Sequence, residues 1–239
     1  VFTVVAHRVG WAALILWIYV ALRRLPVPRN PRIWGAFLVM GFLNNVIPFS
    51  LIAWGQLAIE TGLASILNAT TAIFGVLVAA LIFSDERLIR RRAIGVALGF
   101  FGVAIVIGPR ALLAFDPRSL AQLAILGASL SYAIAGSWAR ATLGGMAPQV
   151  AAAGMLTGSS LVMIPLAWLV EGPITLSLTP DTLIAIAYFA VASTAVAYLL
   201  YYRILASAGA GNLSLTTLLI APVAVLLGAL FRAEALPVQ

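Results

Sequence analysis

Long apolar runs separated by short polar gaps make up nearly the whole chain. Eight runs stand out: residues 2–22, 33–57, 62–83, 93–109, 119–139, 148–170, 182–206 and 210–231. A helix rises ~1.5 Å per residue, so about twenty residues cross a ~30 Å hydrocarbon layer once. The runs therefore predict spanning α-helices rather than barrel strands, which need only ~9–11 residues each. Proline and glycine punctuate the gaps, as at Pro26, Pro28 and Pro31, Gly144-Gly145, Gly172-Pro173, and Gly209 with Gly211. Residues 62–92 show the unit most clearly. An uncharged helix holds a polar cluster of Ser65, Asn68, Thr70 and Thr71, then ends at Asp85-Glu86 and four arginines.

Composition narrows the solvent to lipid. The chain is 63% hydrophobic and 9% charged, with a mean hydropathy of +1.11. Soluble domains are ~25% charged, and a soluble fold of this length has no way to bury so much apolar surface. All fourteen basic residues are arginines, for a net charge of +7. That excess fits cytoplasmic loops of a membrane protein and does not call for nucleic acid. There is no cysteine. The first residues already lie in an apolar run, so no cleavable signal peptide is expected, and the natural start is expected to lie upstream.

Arginine also orients the spans. Ten arginines fall on one side by span parity: Arg23, Arg24, Arg29, Arg32, Arg87, Arg90, Arg91, Arg92, Arg140 and Arg203. Arg110, Arg118 and Arg232 lie on the other, beside Glu60, Asp116, Glu171, Asp181 and Glu234. The arginine-rich side is expected to face the cytoplasm.

The chain also repeats. Shifted by 148 residues, 33–86 lies over 181–234 without a gap, and Leu51 meets Leu199, Leu67 meets Leu215, Phe83 meets Phe231 and Glu86 meets Glu234. Both copies have a long span, a tight hairpin, a second span and a closing Phe-x-x-Glu. One copy starts at the basic loop 23–32 and the other at the acidic loop 171–181. The copies are thus expected to be inverted, a frequent plan in secondary transporters.

The segment GLASILNATTAIFGVLVAALIFSDERLIRRRAIGVALGFFGVAIVIGP resembles the EamA-type domain of the drug/metabolite transporter superfamily. So does AGAGNLSLTTLLIAPVAVLLGALFRAE, with Pro222 inside the helix and Glu234 at its end. The resemblance implies an all-α polytopic bundle of two inverted repeats, here 1–110 and 119–239, in a family plan of ten helices. The eight spans would be helices two to nine, with the first and tenth absent from this chain. Two departures are visible. The first copy has Ala72, Ile73 and Phe74 where the family often has a proline, and the second ends in Ala233-Glu234 rather than Gly-Glu. The implied function is secondary transport of small metabolites such as amino acids, outward across a bacterial inner membrane, with no cofactor. The alternative is a non-transporting membrane subunit or an inactive truncated transporter.

Enzymatic machinery has no visible members. His7 is the single histidine, and no metal-binding motif, dinucleotide fingerprint or phosphate loop occurs. The expected solute pathway is instead built from polar and aromatic residues within spans: Asn44, Asn45, Pro48, Trp54, Ser65, Asn68, Thr71, Tyr132, Tyr198, Tyr202, Ser214 and Thr217. Two adjacent amides on an α-helix lie ~100° apart, so Asn44 and Asn45 are expected to face different partners. Pro48 is expected to kink its helix and free the carbonyl of Asn44. Trp54 and its repeat mate Tyr202 read as gates or interfacial anchors. The hydroxyls of Ser65, Thr71, Ser214 and Thr217 either line a path or bond back to their own helices.

Structural or gating roles are expected for Arg8, Glu86, Pro222 and Glu234. Arg8 either snorkels to the near surface, attracts an anionic group, or pairs with a carboxylate such as that of Glu60. Glu86 and Glu234 are expected to cap the helices that follow them. Gly95, Gly99 and Gly102 suit close helix packing or a homodimer face.

Overall fold

The computed structural model describes residues 2–107, 113, 115–116, 119–173, 179–220 and 222–223. Glu234 and the end of the expected span 210–231 lie outside these residues. Among the described residues, eight helices carry the chain. They are α1 (Phe2–Leu22), α2 (Pro31–Gly55), α3 (Gly62–Ile82), α4 (Arg90–Ile107), α5 (Leu120–Leu143), α6 (Pro148–Glu171), α7 (180–208) and α8 (210–219). Helix α4 starts three residues before the expected span, so Arg90, Arg91 and Arg92 form its first turn. Helices α7 and α8 run together as Pro180–Leu219, which is twice a membrane's thickness at ~1.5 Å per residue. Gly209, at φ 81° and ψ 173°, breaks them apart.

Starts and stops follow local chemistry. Asn30 accepts from the amide of Arg32 at 3.0 Å ahead of Pro31, and Thr179 accepts from the amide of Thr182 at 3.4 Å ahead of Pro180. Each places a polar cap before a proline whose missing N–H costs nothing in a first turn.

The chain forms two compact units, Val1–Phe49 with Trp138–Ser207, and Ser50–Ser137 with Ala208–Gln239. Each takes segments from both halves of the sequence, so compactness does not follow the division into 1–110 and 119–239. In the first unit α1 presents Ala6, Val9, Ala13, Leu16 and Val20 as a buried stripe and packs on α6. Helix α2 also meets α6 closely, because a Cβ at Gly158 would lie 2.6 Å from the carbonyl oxygen of Phe37. In the second unit Leu63, Ala64 and Leu67 of α3 pack against Ile125 of α5. Ile66 and Ala69 pack with Val103 of α4, joined by Phe100 and Leu218. A Cβ at Gly99 would lie 2.5 Å from Leu218 Cδ1, so that glycine is used within the chain, while Gly95 and Gly102 face open space.

Apolar side chains also point outward. Leu81, Leu98, Ile105, Leu161 and Leu169 stand exposed, whereas Asn44, Asn45, Ser129 and Ser159 are buried. Lipid solvates the first set, and the second finds its partners inside protein.

Both copies of the repeat depart from α geometry at matching positions. Helix α2 widens to a π turn at Phe42–Val46, and α7 does so at Val191–Val196. The shift of 148 carries 42–46 onto 190–194. Helix α3 tightens at Thr70, whose amide bonds Leu67 O at 3.1 Å, and α8 tightens to a 3-10 stretch at Leu215–Leu219. The same shift carries 67–71 onto 215–219.

Candidate functional site

The π turn of α2 comes just before Pro48. Proline lacks an N–H, and its ring would collide with the carbonyl four residues back in a regular helix. One inserted residue removes that collision, and the amide of Ile47 reaches back five residues to Phe42 O. Instead of a simple kink, the outcome is a wider turn. It changes where the amides point. Asn44 and Asn45, 3% and 0% exposed, both meet the hydroxyl of Tyr198, contrary to the separation expected of an α-helix. Asn44 Nδ2 donates to Tyr198 Oη at 3.0 Å and approaches Met155 Sδ at 3.6 Å. Tyr198 Oη in turn donates to Asn45 Oδ1. Asn45 Nδ2 donates to Ser159 Oγ at 2.6 Å, and Ser159 donates to Met155 O at 3.0 Å. A relay of neutral groups thus ties α2, α6 and α7 together at mid-span.

The π turn of α7 contains no proline. Thr194 donates five residues back to Phe189 O at 2.7 Å, wedging its hydroxyl into the helix ladder. Arg8 of α1 holds the same turn. Its Nε donates to Thr194 Oγ1 at 2.6 Å, its Nη2 donates to Ser193 O at 3.2 Å, and its guanidinium lies 5.1 Å from the ring centre of Phe49. Thr194 is ~21 Å along α7 from Pro180. Arg8 therefore reaches inward to a mid-helix turn and does not snorkel to the near surface.

The second unit holds a different cluster. Asn68 Oδ1 and Thr71 Oγ1 are buried without a hydrogen-bond partner among the described residues. They are three residues apart on α3, on one face. Ser65 is half-buried one turn before Asn68. Ser129 of α5 donates to Leu67 O at 3.2 Å, where the Thr70 turn disturbs the ladder. Ser214 and Thr217 do not extend this cluster through their hydroxyls. They donate to Gly211 O and Ser214 O, each at 2.7 Å, on their own helix.

Glu86 caps a helix, but not the one that follows it. Its Oε1 accepts from the amide of Ala210 at 2.8 Å and its Oε2 from that of Gly211 at 2.7 Å. These are the free donors at the start of α8, where the helix dipole favours an anion. Gly209 makes the approach possible, because a Cβ there would lie 2.4 Å from Glu86 Oε1. Arg92 stands 3.9 Å from the same carboxylate.

The remaining expected residues scatter. Trp54 is 52% exposed and its repeat mate Tyr202 only 4%, so the two do not share an environment. Tyr202 stacks edge-on with Tyr201, and its hydroxyl has no hydrogen-bond partner among the described residues. Tyr132 is half-buried on α5, and Pro222 is exposed. The sequence reading missed Ser159 and Ser129. Ser159 had a signal: it follows Gly154 and Gly158, a close-packing pair in mid-span. Ser129 had none, since its partner is a backbone carbonyl 62 residues away.

The first unit thus offers neutral hydrogen-bonding groups and the guanidinium of Arg8, and the second offers neutral polar groups of its own. Among the described residues, no three His, Cys, Asp or Glu side chains gather to hold a metal ion. No curated protein matches the chain. The sequence pattern of the EamA-like transporter family, however, matches residues 1–108 and again 119–239, nearly the full length. An apolar helical chain with polar groups held at mid-span, carrying that pattern twice, belongs to the EamA-like transporter family: it is a membrane transporter of the drug/metabolite type.

Proposed function

We propose that the protein exports small polar metabolites, such as amino acids or related compounds, across a bacterial-type inner membrane. It does so as a secondary transporter that alternates between inward- and outward-open states. The supporting observation is the pair of π turns at matching positions of the two copies, each bearing polar side chains at mid-span. A π turn is metastable against the α form and often marks a functional site. Inverted copies that exchange such local geometries would open one face while closing the other. Asn68 Oδ1 and Thr71 Oγ1, without a hydrogen-bond partner among the described residues, favour the same reading, because a buried polar atom in an apolar surround needs water or a solute.

The test is efflux and uptake of a metabolite panel in proteoliposomes containing the full chain. Wild type is expected to move at least one panel member down its gradient. Asn44→Leu and Asn68→Leu are expected to reduce that flux severalfold. Their loss of stability should stay near ~1 kcal/mol, because hydrogen bonds between membrane helices are worth ~0.6 kcal/mol each. If both variants transport at the wild-type rate, the amides only pack and the assigned pathway is wrong.

A further inference from the structure

We propose that Arg8 is the docking point for a carboxylate on the transported solute, presented by the π turn of α7. The inference rests on the transporter reading and deepens it by naming the charge the solute carries.

A guanidinium has five N–H donors in a flat fork. Two are used, by Thr194 Oγ1 and Ser193 O, and both acceptors are neutral. The guanidinium carbon lies 5.1 Å from the ring centre of Phe49, and the donors that Thr194 and Ser193 leave over lie on the Nη1–Nη2 edge. No described residue places a carboxylate there. The unit that contains Arg8, residues 1–49 and 138–207, has two acids in its whole sequence, Glu171 and Asp181. Glu171 is engaged at the start of α1 by the amides of Phe2 and Thr3, each at 2.9 Å, and by the Thr3 hydroxyl at 2.7 Å. Asp181 opens α7, thirteen residues before Thr194, ~20 Å along the helix. Among the described residues, the charge at mid-span is therefore met by neutral hydrogen-bond acceptors and an aromatic ring, an expensive arrangement in a membrane protein and a functional one by default.

The chemistry selects a carboxylate. Two parallel N–H donors on one guanidinium edge match its two oxygens, giving charge-assisted bonds about twice as strong as neutral ones. Tyr198 lies four residues beyond Thr194, on the same face of α7. Its hydroxyl joins Asn44 and Asn45 next to Arg8's turn. These neutral groups suit the uncharged polar part of the same small molecule.

The experiment measures binding to the purified full chain with matched probes: acetate, butyrate, benzoate, L-leucine and L-phenylalanine, each against its carboxamide, with chloride as an inorganic control. Wild type is expected to bind at least one acid about tenfold or more tightly than its amide, the increment of a hydrogen bond to a charged group. In Arg8→Gln that ratio should fall to near one. In Arg8→Lys, which keeps the charge but loses the fork, it should fall partway. Melting temperatures identify a variant that fails to fold, and if Arg8→Gln does so, the ratio in Arg8→Lys decides. Equal binding of acid and amide by wild type overturns the proposal. So does an unchanged ratio in the folded variants, no binding by any acid in the set, or chloride alone competing for the site. Transport is read separately. Acids that bind through Arg8 but never cross proteoliposomes leave the subsite standing and remove the transporter reading. Flux of acids and amides alike does the reverse.

Discussion

Glu86 is a single carboxylate that fixes where a helix begins. It takes two amides that the start of α8 would otherwise leave bare in an apolar surround. Glu86→Gln keeps an acceptor but loses the charge and half the geometry. It is expected to cost ~1–2 kcal/mol, read as a lower melting temperature in detergent. Gly209→Ala should cost more, since it adds both a strained positive φ and a Cβ 2.4 Å from the carboxylate oxygen. If Gly209→Ala proves the milder of the two, the close approach of carboxylate and turn is not what sets the boundary. A capping role for Glu86 was legible in the sequence, because an acid at a span end has few other uses. Its partner was not, because nothing local in FSDERLIRRR points to an amide 124 residues away. The same limit applies to the polar relay. Asn44, Asn45 and Tyr198 stood out as polar groups in apolar runs, but their meeting at one hydroxyl depends on a turn that the α-helical period does not contain.

At the scale of elements, the span ends that fall among the described residues were legible to within a few residues, because length and apolarity are set by the bilayer. The irregularities inside them were legible only in part. Pro48 signalled a disturbed helix, though a π turn and a kink are alternative answers to the same clash. The π turn of α7 had no such marker, since Thr194 and Arg8 hold it through side chains from two helices. The two turns should therefore respond differently to mutation. Pro48→Ala removes the cause of the α2 turn and restores an amide, so α-helix becomes the favoured form. A lost insertion rotates Asn44 and Asn45 by ~100° relative to the residues beyond them, which takes them off Tyr198. The expected outcome is an unchanged or raised melting temperature with reduced transport. Unchanged transport would mean that the amide–tyrosine bonds, rather than the proline, hold the turn.

For the whole molecule, the uneven placement of arginine predicts which loops face the cytoplasm. With no native cysteine, single cysteines can be introduced at Asn30, Arg90 and Asp181 without background. In intact cells an impermeant thiol reagent is expected to label the cysteine at Asp181 and to spare those at Asn30 and Arg90 until the membrane is opened. Labelling at Asn30 or Arg90 in intact cells would reverse the orientation, and with it the direction assigned to export. The cap on α8 carries a further consequence, for the order in which the protein is made. Glu86 is synthesised 124 residues before the amide of Ala210 exists. At ~5–20 residues per second the carboxylate waits roughly 6–25 s for its amide donors. During that wait Arg92, already synthesised and 3.9 Å away in the finished protein, is the partner at hand. The loop that follows α3 is thus a clasp laid down early and fastened late, and nascent chains that stop short of Gly209 have no way to close it.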